Sequence, residues 1–253
     1  LNDFKFTYQS YNNFLEFLVD NDYKTYTFKE WFENPTDKAV LIRHDVDLDM
    51  FAAQKLAEME YKRHGIKATY FVMVTSPAYN LYEPNINNCL TKIQYHCNHE
   101  IGLHFDISLY SKDFFNSMNI YLQNLIDYDR DVLQPMLEFQ KYISALSYHN
   151  PSVIGLKMNR YPLVKGYNHA HDSRIFKTDR YFADSCQELM HNPFDFVEKN
   201  YGQYPLQMNF HPLHYTEWGE DYRKIFDRYI KQQSKILNDF FKPNRAYRKY
   251  WTD

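Results

Sequence analysis

Asp45, Asp47, His104, His149, Asp184 and His211 each fall just after the C-terminal end of a stretch that reads as a strand. Carboxylates and imidazoles hold divalent ions and move protons near neutral pH. Taken singly, each of these residues reads as a turn or helix cap. Six of them after five strands read as one site, because the loops that follow parallel strands converge on one face. The densest cluster is Arg43-His44-Asp45-Val46-Asp47. Alternate residues of an extended chain share a face, so Asp45 and Asp47 point the same way. Two neighbouring carboxylates repel unless a cation intervenes, and either a metal or Arg43 would keep both ionised. Asp49 reads as the cap of a helix that begins near Met50.

A mononuclear hydrolytic metal takes about three Asp/His ligands and keeps a position open for water. Asp47 and His104 supply two. Spacing does not fix the third, for which His149 and Asp106 compete. His211 is placed to give a proton to a leaving amine, with His214 as a supporting neighbour. His99 lies five steps before His104, which along a strand means the opposite face and a separation of ~16 Å, so the two cannot share an ion. His96 and His99 read instead as a surface helix end.

The elements that must position these groups follow from hydrophobic periodicity. Ala39–Ile42, Ala68–Met73, Glu100–Leu103, Ala145–Tyr148, Arg180–Ala183 and Leu206–Phe210 read as strands. Met50–Arg63, Ile86–Tyr95, Phe114–Ile126, Val132–Tyr142 and Tyr222–Phe241 read as helices. Residues 153–179 read as a long loop over the site. This alternation is the βαβ rhythm of a parallel sheet or barrel. Without a repeat or linker, residues 1–253 read as a single domain, on which 1–38 pack as an N-terminal helical segment.

The formal charge of −3 is spread along the chain, which argues against nucleic acid or anionic lipid as partner. No apolar run approaches the roughly 20 residues of a membrane span. Three cysteines, Cys89, Cys97 and Cys186, read as buried thiols and point to a reducing, cytoplasmic compartment. The 24 Tyr and 20 Phe suit either stacking on sugar rings or a codon bias, and the second is preferred.

The blocks Leu41-Ile42-Arg43-His44-Asp45-Val46-Asp47, Ala68-Thr69-Tyr70-Phe71, His99-Glu100-Ile101-Gly102-Leu103-His104, Tyr148-His149-Asn150-Pro151, Phe182-Ala183-Asp184-Ser185 and Asn209-Phe210-His211 resemble, in order, those of the polysaccharide deacetylases (carbohydrate esterase family 4, the NodB-homology fold). The Arg-His-Asp-Val-Asp start is most similar to the branch linked to bacterial surface-polysaccharide or O-antigen biosynthesis. The resemblance implies an α/β fold, a distorted (β/α)7-type barrel. It also implies one divalent ion, zinc-like, and removal of an N-acyl group, such as acetyl, from an amino sugar. On this reading Asp45 is the base, Asp47, His104 and His149 hold the metal, and His211 is the acid. Arg43, His44, Asn150, Asp184 and His214 are expected around the N-acylated sugar. Two positions depart from the family: Ser108 stands where its second metal histidine falls, and Asn150 where it has an arginine that positions the base. These departures leave two rivals: a carbohydrate-binding relative without activity, and a metal-independent hydrolase using Asp45 with His44 or His211.

Overall fold

The computed structural model describes residues 4–110, 119–157 and 161–251. Helices α1 (Tyr8–Asp20) and α2 (Phe28–Glu33) come first. Strands β1 (Val40–Val46), β2 (Ala68–Val72), β3 (Glu100–Asp106) and β4 (Ala145–His149) follow, joined by α3 (Met50–His64), α4 (Pro84–Thr91) and α5 (Asn119–Leu133). Two short strands, β5 (Asn168–His169) and β6 (Tyr181–Ala183), then α6 (Pro193–Asn200) and β7 (Leu206–Phe210), complete the sheet. Helices α7 (Tyr222–Phe241) and α8 (Arg245–Trp251) come last. All ladders are parallel, in the order β5-β4-β3-β2-β1-β7-β6. Among the described residues no ladder joins β5 to β6, so the barrel stays open there.

The sheet is nevertheless strongly curled. In a flat sheet β1 and β4, three strands apart, would be separated by ~14 Å. Here Arg43 Nη2 of β1 donates directly to Ser147 Oγ of β4. Gln207 Nε2 of β7 likewise donates to the carbonyls of Ala170 (2.8 Å) and Ile175 beyond β5. The curl turns alternate residues of each strand inward, in layers as in a closed barrel. The lowest layer is apolar: Ala39, Leu41, Phe71 and Ala145, closed from below by Phe28 and Trp31 of α2. A capping box between Thr27 and Glu30 sets the start of α2. Charged and polar side chains fill the layers above.

Gly102 of β3 belongs to this packing. A Cβ built there would lie 2.7 Å from the Phe71 ring and 3.1 Å from Ala145 Cβ. Gly102→Ala is therefore expected to destabilise by about 1–3 kcal/mol through overpacking, seen as a lower urea midpoint at unchanged slope. An unchanged midpoint would mean that the ring yields freely.

The outer face of the sheet is the larger core, and much of the aromatic excess lies there. Tyr11 and Phe14 of α1 pack on Phe210 of β7 with ring centroids 5.3 and 5.6 Å away. Of the three unpaired cysteines, Cys89 and Cys97 are buried as expected, but Cys186 is exposed.

Several sequence expectations need correction. β1 does not stop at Ile42 but carries Arg43, His44 and Asp45 within the strand. No helix spans Val132–Tyr142: α5 ends at Leu133, and Gln134–Met136 form a single 3₁₀ turn. Beyond it the Gln140 side-chain amide pairs with both the N–H and the C=O of Ile101, taking the place of a strand backbone beside β3. The first part of the helix expected at Phe114–Ile126 lies outside the described residues. The expected loop over 153–179 contains β5 as the edge strand.

Candidate active site

The C-terminal mouth of the curled sheet holds the candidate site. From β1, Arg43 and Asp45 point inward on alternate positions, and the chain just beyond delivers Asp47. The Arg43 guanidinium grips Asp45 with two hydrogen bonds of 2.8 Å, and its remaining nitrogen donates to Gln207 Oε1 at 3.2 Å. Asn209 Nδ2 adds a third donor to Asp45 at 3.1 Å. The pair is almost entirely buried, at 2% and 5% exposure. Burial works against the charge of Asp45, but Arg43 and the facing His104 and His211 outweigh it and hold its pKa below the ordinary value.

Asp47 sits one layer higher, partly open to solvent. Its Oδ1 lies 3.1 Å from His104 Nε2 and 3.1 Å from His149 Nδ1, so the chain just beyond β1 and strands β3 and β4 each contribute one ligand-type atom. Burial opposes its charge too, and the hydrogen bonds from the two imidazoles lower its pKa well below the usual carboxylate range. The other nitrogen of each ring is also engaged. His104 Nδ1 lies 3.0 Å from Ser147 Oγ, which Arg43 already contacts, and His149 Nε2 lies 2.8 Å from the Asn150 amide. The Ser147 hydroxyl on the far nitrogen fixes the orientation and tautomer of the His104 ring as such partners do at metal sites, whereas the Asn150 amine, a donor, orients the His149 ring without supplying an acceptor for its Nε2.

Opposite stands an imidazole of another kind. His211, after β7, donates from Nδ1 to Asp184 Oδ1 at 2.6 Å, and its Nε2 faces Asp45 Oδ2 at 3.9 Å. Asp184 is fully buried and also accepts from the His211 N–H and the Tyr215 hydroxyl, while His214 Nδ1 lies 3.3 Å from its Oδ2. Burial lowers the His211 pKa, yet the Asp184 charge overrides this and raises it to about 9. His211 therefore stands protonated at neutral pH. A cavity of about 30 Å³ between Asp45, Asp47, His211 and Tyr222 has room for a water.

The two Asp/His groups differ in character. Ligand atoms bonded to a tetrahedral ion at about 2.0–2.2 Å lie about 3.3 Å apart. The contacts of Asp47 with His104 and His149 come close to that spacing. At Asp184 the 2.6 Å contact to His211 is a charge-assisted hydrogen bond with the proton in it.

The structure brings Asp45, Asp47, His104, His149 and His211 together as expected, and Asn150 lies at the rim against His149. Four expected substrate contacts do not face the cleft. Arg43, Asp184 and His214, all almost fully buried, support Asp45 and His211 from beneath, and His214 also meets the Tyr222 hydroxyl at 3.1 Å. His44 points to the other side of β1, where its Nε2 contacts Glu60 at 2.6 Å in a fully buried cluster with Tyr11 and Tyr70. His99 is not on the surface: it joins this cluster and bonds the backbone of Ala57 and Ala68. Asp106, the competitor for the third position, is turned to its own Ser108 and stays outside the Asp47 group. Asp49 caps α3 as expected. Sequence reasoning missed Ser147, Gln207 and Asn209, although alternation along β4 and β7 from His149 and His211 points to all three.

Fold and site define a class: an α/β protein of seven parallel strands with helices, curled in barrel-like fashion and carrying Asp/His groups able to hold a metal at its C-terminal mouth. No family model matches the chain, and no curated protein matches it.

Proposed function

We propose that this protein is a metal-dependent hydrolase that removes an N-acyl group from an amino sugar. The observation that carries the reading is Asp47 Oδ1 at 3.1 Å from both His104 Nε2 and His149 Nδ1, with one buried carboxylate and one protonated imidazole beside them. A divalent ion held by these three residues, zinc by its donor set, would supply Lewis acidity and a water of lowered pKa. Asp45, oriented by Arg43 and Asn209, accepts the proton of the attacking water at a carboxylate oxygen. His211, charged and held by Asp184, releases its Nε2 proton to the departing amine. An adjoining cleft of about 640 Å³, reached past Leu48 and Asp49 and lined by Tyr79, Asn80 and Gln233 among others, offers space for the sugar.

The two departures from the deacetylase pattern have local counterparts. His149 stands where a third ligand is needed, and Arg43 supplies from β1 the guanidinium that Asn150 lacks. Both support the enzyme over a binding-only relative. The test is acetate release from N-acetylated amino sugars by zinc-loaded protein: release should vanish with chelator and return with zinc. Release that survives the chelator would point to a metal-independent hydrolase, and metal uptake without any release would point to the binder.

The pH profile carries a further expectation. An acid with a pKa of about 9 is competent below that pH, so activity should fall as pH rises through it. Asp184→Asn removes the charge that raises this pKa, and the alkaline fall should move down toward about 6.5. A profile unmoved by Asp184→Asn would remove His211 from the acid role.

A further inference from the structure

Helix α7 packs on the body only through its first turns. Ile225 is buried, and the Tyr229 hydroxyl donates to the carbonyls of Leu48 (2.8 Å) and Ala78 (3.0 Å). From Ser234 onward every residue of α7 is exposed. Helix α8 folds back on this projecting part, with the Tyr247 hydroxyl on Asn238 and its ring 5.6 Å from that of Phe241. The apolar face continues where the body ends. At 100° per residue Ile230, Leu237, Phe240 and Phe241 fall in the same arc as Ile225 and Tyr229, about 160° wide, and these four are 42–75% exposed, while Ile236 of the same arc lines the cleft beside Tyr229. Lys224, Arg228, Lys231, Lys235 and Lys242 occupy the opposite arc. Residues 222–251 hold nine Lys/Arg against Asp227 and Asp239, in a chain whose net charge is −3.

We propose that the α7–α8 arm docks this protein on an anionic lipid bilayer, its apolar face in the interface and its amines against lipid phosphates. A helix with Phe, Leu and Ile on one face and Lys on the other fits such a surface, and juxtaposed lysines add to the attraction. The partner's chemistry follows from charge. A second copy of the chain would bring the same cations against these; Lys224, Arg228 and Lys242 pair with Asp221, Glu220 and Asp239, and Lys235 feels Asp239 at longer range, but among the described residues Arg223 and Lys231 form no ion pair. Nucleic acid would match the charge and leave the row of Ile, Leu and Phe in water. The arm does not span: no described helix is long and apolar enough to cross a membrane. The even spread of charge inferred from the sequence thus conceals a local concentration. Tyr222 and Tyr229 place the root of this arm beside the mouth of the site, but the docking does not rest on the proposed activity.

The test is co-sedimentation of the full chain with vesicles of phosphatidylcholine alone and of phosphatidylcholine mixed with phosphatidylglycerol. Binding is expected to the mixed vesicles only, weakened on the order of tenfold or more by Lys231→Glu/Lys235→Glu and by Leu237→Glu/Phe240→Glu. Circular dichroism should show both variants folded, since all four residues are exposed. Absence of binding to either vesicle would overturn the proposal. So would equal binding to both, or a dimer in light scattering that the Leu237→Glu/Phe240→Glu variant dissolves.

Discussion

Asp45→Asn is expected to lower acyl release from an N-acetylated amino sugar by about 100-fold or more, in kcat, while zinc uptake stays near that of the unaltered protein. Asp45 lies outside the three-atom ligand group, and the amide that replaces it cannot accept the proton of an attacking water. Its lowered pKa makes it a weak base in isolation. Proton loss from a water acidified by a cation demands less of the acceptor than loss from bulk water. The substitution also strands the buried Arg43 charge, so some stability will go with the activity. Retained zinc uptake and an intact circular dichroism spectrum separate the two effects. Acyl release close to normal from the folded variant would place the base elsewhere.

Arg43→Met should give the largest loss of stability, about 3–5 kcal/mol, because it strips the buried Asp45 charge of its two guanidinium hydrogen bonds and leaves only the Asn209 amide and, each 3.9 Å away, His104 and His211 to face it. Gln207 and Ser147 lose a donor as well. In the double variant Arg43→Met/Asp45→Asn the stranded charge is gone, so it should be more stable than Arg43→Met alone. Arg43→Lys keeps the charge but not the planar fork that meets both oxygens, and should fall between. Urea unfolding measures all three. If the double variant were as unstable as the single, packing at Arg43, not its pairing with Asp45, would account for the loss.

The positions of the site residues were legible because parallel strands carry a strong signal. Buried on both faces, they read as continuous apolar runs, and the polar residues that end them lie at one end of the sheet. β7 and α7 were placed to the residue for the same reason: an apolar run and a helical period with clean edges. What failed was depth. Alternation put Asp45 and Asp47 on one face, and the same alternation puts His44 on the other, where Glu60 receives it. A charged residue at a strand end carries no local sign of whether it lies above or beneath the cleft. Asp184 and Arg43 therefore read as substrate contacts, whereas tertiary packing makes them supports. The helix expected at Val132–Tyr142 fails at Pro135 and at the Gln140 amide, whose pairing with Ile101 is a contact that no local pattern encodes.

Anomalous diffraction at the zinc edge, from crystals of zinc-loaded protein, tests the three-ligand site most directly. The account predicts one strong peak about 2.0–2.2 Å from an Asp47 oxygen, His104 Nε2 and His149 Nδ1. A loaded crystal with no peak among these atoms, or with its peak between Asp184, His211 and His214, would contradict it.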